Sequence, residues 1–245
     1  MRTLPTPAPR RRALLRRTAA GVGAALLTGI GLAGRVGAQT VPTASEAAAY
    51  TGLFAAAWRG DLPRIKALLV AGTDIDARDG QGRTALHLAT FARQRGAVRL
   101  LLQKGAAPSL LDGERYDAVT IAAVADDAET LSLLLALGAD PGLTTSRYDG
   151  TALIAAAHLG NEEVVRRLVA AGAPLDHVNN LHWTATIEAV VLGDGGPRHQ
   201  HTLRALVQGG ADLGKTDRQG RTPLQLAQAR GYDALVAILQ QPARR

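Results

Sequence analysis

The sequence predicts an all-α repeat solenoid of about six units, and three observations carry that prediction. A short motif opening on Thr or Asp recurs with starts at Thr51, Thr84, Asp117, Thr151, Thr184 and Thr222, spaced 33, 33, 34, 33 and 38 residues. A glycine closes each of five leucine-rich stretches, at Gly72, Gly105, Gly138, Gly172 and Gly210, in step with the starts. The composition is 47% hydrophobic but only 3% aromatic, which suits thin layers packed with Ala, Leu and Val.

Taken in order, residues 1–38 come first and read as an address. They hold seven arginines, Arg2, Arg10, Arg11, Arg12, Arg16, Arg17 and Arg35, and no acid. An uncharged apolar run from Thr18 to Gly34 follows the basic head, and Val36-Gly37-Ala38 supplies small residues before a cut between Ala38 and Gln39. A cleaved secretory leader is expected; an uncleaved single anchor is the alternative, because the run sits near the lower limit for a membrane span. Arg11-Arg12-Ala13-Leu14-Leu15-Arg16 resembles the twin-arginine export signal, although Arg10 stands where that motif carries Ser or Thr. General secretion stays open beside it, and either route places the mature chain in a periplasm.

The leader also explains the charge. The chain has 28 basic and 21 acidic side chains; seven of the former and none of the latter lie in residues 1–38, so the remainder carries 21 of each. No basic footprint for nucleic acid remains. The absence of cysteine excludes disulfides, zinc–thiolate sites, iron–sulfur clusters and thiol nucleophiles. Residues 39–47 are small and polar and read as a linker, residues 48–241 as the repeat domain, and 242–245 as a tail.

Each unit follows from local physics. The opening Thr or Asp offers a side-chain oxygen to an orphan N–H of a first, alanine-rich helix. A break follows, with Gly60, Gly160, Gly193 and Gly231 as its glycine versions. A second helix carries the core leucines, as in Ile65–Leu69 and Val164–Leu168, and the closing glycine supplies a left-handed cap. Turns such as Asp79-Gly80-Gln81-Gly82 then form the tips. A lone helical hairpin cannot bury its apolar face, so neighbours must stack.

These motifs resemble the ankyrin repeat: Thr84–His87 and Thr222-Pro223-Leu224 at the starts, Gly138-Ala139-Asp140 and Gly210-Ala211-Asp212 at the ends. The resemblance covers about residues 48–241. It implies stacked helix–turn–helix units with hairpin-like loops and a structural role for His87, bonded to the neighbouring turn. It also implies a concave binding surface made of the tips and the ends of the first helices. Carried onto this sequence, that surface comprises Tyr50, Trp58, Arg59, Arg83, Phe91, Tyr116, Tyr148, His158, Trp183 and Arg221. Six of the eight aromatic residues fall on it, and Trp, Tyr and Arg are the types that anchor protein interfaces. The competing expectation is that these rings fill gaps between adjacent tips.

One irregularity interrupts the pattern. Asp194–Gln200 occupies seven residues where the family has about two, an insertion expected in the turn between the helices of the fifth unit. The stretch Glu188–Gln200 is similar to one in a subgroup of bacterial ankyrin proteins. His199 and His201 lack the spacing of an established metal site and read as part of a solvated insertion. Asp194 argues against anion binding at Gly193–Pro197. Glu188 replaces an apolar residue, so a buried carboxylate there needs a partner, with Arg198 or His201 as candidates. No serine lies in a nucleophile motif. The expectation is a non-enzymatic, monomeric protein without cofactor or stable membrane insertion, which binds another protein, with protection or support of a periplasmic enzyme as its role. The alternatives are an immunity or inhibitor protein that neutralises a toxin or enzyme, and a small-ligand or metal-binding protein using the insertion.

Overall fold

A computed structural model describes residues 41–241. The leader expected over residues 1–38, its cut at Ala38–Gln39 and the tail at 242–245 lie outside the described residues. Within them the chain is helical, with thirteen helices: α1 (Ala44–Ala49), α2 (Gly52–Arg59), α3 (Leu62–Val70), α4 (Ala85–Phe91), α5 (Arg95–Gln103), α6 (Ala118–Val124), α7 (Ala128–Ala136), α8 (Ala152–Leu159), α9 (Glu162–Ala170), α10 (Ala185–Val191), α11 (Pro197–Gln208), α12 (Pro223–Ala229) and α13 (Asp233–Leu239).

From α2 onward the helices pair into six antiparallel units. First helices stack on first helices (α2, α4, α6, α8, α10, α12) and second helices on second (α3, α5, α7, α9, α11, α13), making two layers. The start residues are N-caps as expected. Thr84, Asp117, Thr151, Thr184 and Thr222 each accept a hydrogen bond from the backbone N–H three residues on, whereas Thr51 makes no such bond. The five closing glycines have φ between 82° and 93°, a left-handed conformation that L side chains avoid. The alanine after four of them, at 106, 139, 173 and 211, is buried in the apolar interior.

Packing explains the sequence of the second helices. Ala97, Val98, Leu100 and Leu101 of α5 are all buried. At the corresponding places of α3, Arg64 and Ala67 are exposed and Ile65 is the one buried residue. Among the described residues no unit precedes the first to cover those places. The same logic holds at the other end. The fourth residue of the start motif is buried as His87, Thr120, Ile154 and Ile187, but Gln225 in the last unit is exposed. The core is continuous through units one to five; a second cluster joins unit five to unit six through Ile187, Leu203, Leu226, Leu235 and Ile238.

Two expectations change. The stretch read as a linker runs into α1, which is opened by a capping box in which Thr43 and Glu46 bond each other's backbone N–H. The insertion is not all turn. Pro197 opens α11, which runs twelve residues where α3, α5, α7 and α9 run nine, so the extra residues lengthen the second helix at its start. Pro suits that first helical position because its missing N–H would be unpaired there anyway.

Candidate functional site

The tips are built by one repeated device. The side-chain oxygen of Asp79 accepts from the N–H groups of Gln81 and Arg83, both at 2.8 Å. Asp112, Asn179 and Asp217 do the same two and four residues on. Neighbouring tips then join through backbone: Gly113 N–H to Gln81 O, Ser146 N–H to Arg115 O and Asn180 N–H to Tyr148 O, at 2.8–2.9 Å. His87 ties tip to helix layer as expected. Its Nδ1 accepts from Thr84 N–H at 3.0 Å, and Nε2 faces the carbonyls of Leu110 and Tyr116. Burial lowers its pKa, so the ring is held neutral in this acceptor–donor arrangement.

The first unit carries a ring cluster. Tyr50 lies 6.2 Å from Phe54 and 6.3 Å from Trp58, centroid to centroid, and the Arg83 guanidinium sits 6.0 Å from its ring. The Tyr50 hydroxyl donates to Asp79 at 3.2 Å, and burial pushes its pKa up to about 12. Arg83 bridges Glu46 of α1 and Asp79, each at 2.8 Å. The Thr43 backbone N–H, then Arg83, bring the Glu46 carboxyl down to about 2.

Against this geometry the ten expected contact residues divide. Arg59 and Arg221 are exposed; Tyr50, Trp58, Phe91, Tyr148, His158 and Trp183 are half-buried. Arg83 and Tyr116 are corrections to the expected surface, with 2% and 4% of their area exposed. Arg83 is drawn inward by its two carboxylates. Tyr116 packs beneath its tip, where its N–H bonds Asp112 and its carbonyl receives His87. Trp183 also leans on the second core cluster, and Arg221 is paired with Asp217. The expectation that rings fill gaps near the tips therefore describes Tyr116 and part of Trp183.

What remains open is a row at the ends of the first helices. Trp58, Phe91, Val124, His158 and Val191 occupy equivalent places in successive units, all half-buried. His158 is the one polar member, and it belongs to a buried network. Glu188, 4% exposed on α10, contacts His158 Nδ1 at 3.3 Å and accepts from Asn179 Nδ2 at 2.9 Å. Glu188 thus finds partners other than Arg198 and His201, because its place on α10 faces α8 and its own tip. Arg198 reaches Asn161 at 2.7 Å and Asp126 at 3.3 Å; His201 pairs with Glu162 at 3.2 Å.

The insertion is solvated along much of its length, with the Asp194 and Arg198 side chains 80% and 64% exposed, and is anchored through His199. His199 bonds Asp194 through Nδ1 and the carbonyl of His158 through Nε2, both at 2.9 Å. A Cβ on Gly193 would lie 2.6 Å from the His199 ring, so this glycine serves close approach, not the left-handed turn of Gly60 and Gly160. Among the described residues no group of three or more His, Asp or Glu side chains could hold a metal ion, and no helix is long and apolar enough to cross a membrane. Sequence reasoning missed Glu46 and the role of Asn179. An internal alignment of the tips, with Asn at one place where Asp recurs, is the signal that marks the second.

Comparison with known proteins agrees with the architecture. A family model for ankyrin repeats (3 copies) matches residues 53–145 and 119–217. The chain is 34% identical over 185 residues to YahD, an ankyrin repeat protein of Escherichia coli (strain K12), covering 75% of this chain and 92% of that one. Among solved structures, an ankyrin repeat domain from Acinetobacter baumannii AYE superposes with a TM-score of 0.72 at 41% identity, covering 76% of this chain and 95% of that chain. The ankyrin repeat domain of Bcl-3, a member of the IkappaB protein family, superposes with a TM-score of 0.70 at 29% identity, covering 80% and 88%. A family model that spans residues 53–217 and a relative 34% identical over 92% of its length show that the chain belongs to the ankyrin-repeat family.

Proposed function

We propose that this chain is an exported, non-enzymatic binding protein that holds a partner protein against the row of first-helix ends beside the tips. Ankyrin repeats are protein–protein interaction modules, and this fold brings no catalytic constellation to the row. The observation that carries the reading is the set Trp58, Phe91, Val124 and Val191, large apolar side chains left half-exposed in register along one face. A face meant only for water would not carry them, and aromatic anchors of this kind hold most of an interface's binding energy. Export rests on the basic and apolar leader at residues 1–38.

Affinity capture from the exported fraction tests the reading, with the wild type beside a Trp58→Ala/Phe91→Ala double variant of verified helicity. Retention of one specific partner, weakened at least about 30-fold in the double variant, is expected for two hot-spot side chains. Undiminished capture by the double variant would rule out this row. An intact mass that begins at Gln39 supports the leader; one that retains Met1 refutes its removal.

A further inference from the structure

Three departures from the repeat pattern meet at one place. The fifth residue of the start motif is Ala55, Leu88, Ile121, Ala155 and Leu226 in the other units, but Glu188 here. The tip acceptor is Asp79, Asp112 and Asp217 in three other units, but Asn179 here. The exposed row is apolar on both sides of His158, with Val124 before it and Val191 after it. These three residues form one relay: Asn179 Nδ2 donates to Glu188 Oε1 at 2.9 Å, and Glu188 Oε2 faces His158 Nδ1 at 3.3 Å.

The relay has a defined polarity. A carboxylate only accepts, so the Nδ1 of His158 that faces it carries a proton, and in the neutral ring Nε2 is left as an acceptor. Nε2 makes no hydrogen bond among the described residues, and the His158 side chain is 18% exposed within the row of first-helix ends, the groove of the proposed function. Behind it the Glu188 charge is compensated by an amide and an imidazole, not by a cation. The adjoining cations are engaged elsewhere: Arg198 with Asn161 and Asp126, and Arg230 with the carbonyls of Val191 and Leu226. A buried carboxylate behind a partly exposed imidazole, flanked by apolar side chains, complements a positive donor.

We propose that this relay sets the specificity of the groove by taking a lysine or arginine side chain from an otherwise apolar segment of the partner. The proposal rests on the groove reading above and deepens it. Asn179 and Glu188 are positioning residues; His158 makes the contact.

The test is binding of synthetic nonapeptides of Leu, Val and Ala to the purified exported protein, with Lys, norleucine or Glu at the centre, measured by fluorescence anisotropy. Wild type binds the lysine peptide about tenfold more tightly than the norleucine peptide, as one charge-assisted hydrogen bond provides, and the glutamate peptide most weakly. His158→Phe, which installs the residue type of Phe91, and Glu188→Gln, which keeps the shape but not the charge, both bring the lysine-to-norleucine ratio to about one while apolar binding persists. A ratio unchanged in both variants, or a preference for glutamate, overturns the proposal. Equal wild-type binding of lysine and norleucine peptides overturns the relay while leaving the groove reading standing. No binding of any peptide overturns the proposed linear segment, and partner capture through Trp58 and Phe91 then still decides the wider reading.

Discussion

At the scale of single residues, the departures from the repeat are the informative positions. Asn179 exists because Glu188 lies 2.9 Å away; an aspartate there would set two carboxylates in contact. Asn179→Asp is therefore expected to cost about 1–3 kcal/mol in denaturant unfolding. In a Glu188→Leu background, which restores the aspartate-plus-leucine pairing seen at Asp79 and Leu88, the same change costs little, so the double-mutant cycle yields a coupling of similar size. Asp117 is a second such residue. It caps α6 where four other units use Thr, and burial pushes its pKa up to about 6. A folded pKa above the unfolded value means the folded state holds the proton more tightly. Stability contributed by this group thus falls as pH rises from about 4 to about 6 and stays low above that. Asp117→Asn keeps the acceptor for Thr120 N–H, and should remove that slope and gain on the order of 1–3 kcal/mol at pH 7. Urea unfolding at pH 4, 5, 6 and 7 checks it.

At the scale of elements, α1 shows how a short helix is kept. Six residues are too few to be stable alone, and none of them is buried. The helix is held by its capping box and by the Glu46–Arg83–Asp79 bridge. Glu46 is depressed in the folded state, so its contribution is present above the ordinary carboxylate range and is lost as pH falls toward about 2. Glu46→Gln should speed amide exchange of α1 several-fold at neutral pH while α4 is unchanged, by hydrogen-exchange mass spectrometry. No acceleration would show that the bridge is idle. The left-handed breaks are a comparable case. Gly60 and Gly160 fill them freely, whereas Arg93 and Asp126 adopt φ of 54° and 52° there. Both charged residues are held by contacts, Arg93 to Ala125 O at 2.6 Å and Asp126 to Arg198 at 3.3 Å.

At the scale of the whole molecule, stability is carried by interfaces between neighbours. Unit six joins the rest through the smaller core cluster, in which Leu235 is fully buried. Leu235→Ala should cost about 2–5 kcal/mol and be felt first as exchange in α12 and α13, with α4–α7 still protected. Simultaneous loss of protection in all units would instead indicate one cooperative block. The start of the insertion meets this junction: the Tyr232 hydroxyl donates at 3.2 Å to the carbonyl of Gly193, the residue just before it, and the Tyr232 ring lies against Gly195 within it.

The repeat architecture was legible because a period of 33 residues, with caps and glycines in phase, is a local signal repeated until it is unambiguous. The open row was legible too: Trp58, Phe91 and His158 stand where the family pattern places exposed side chains, and the structure leaves each half-exposed. Which of the remaining candidates turn inward was not. Arg83 goes under because Glu46, thirty-seven residues earlier, and Asp79 both pull on it; Tyr116 goes under near Asp112 and Glu114 of its own tip and Arg147 and Tyr148 of the next. Likewise the partner of Glu188 lies thirty residues back on the neighbouring helix and nine back on its own tip, not in the insertion that follows it. Periodicity tells a chain which face of each unit to bury. Only the stacking of one unit on the next decides which charges meet across the seam, because those distances depend on the rise and rotation between layers, which no single unit contains.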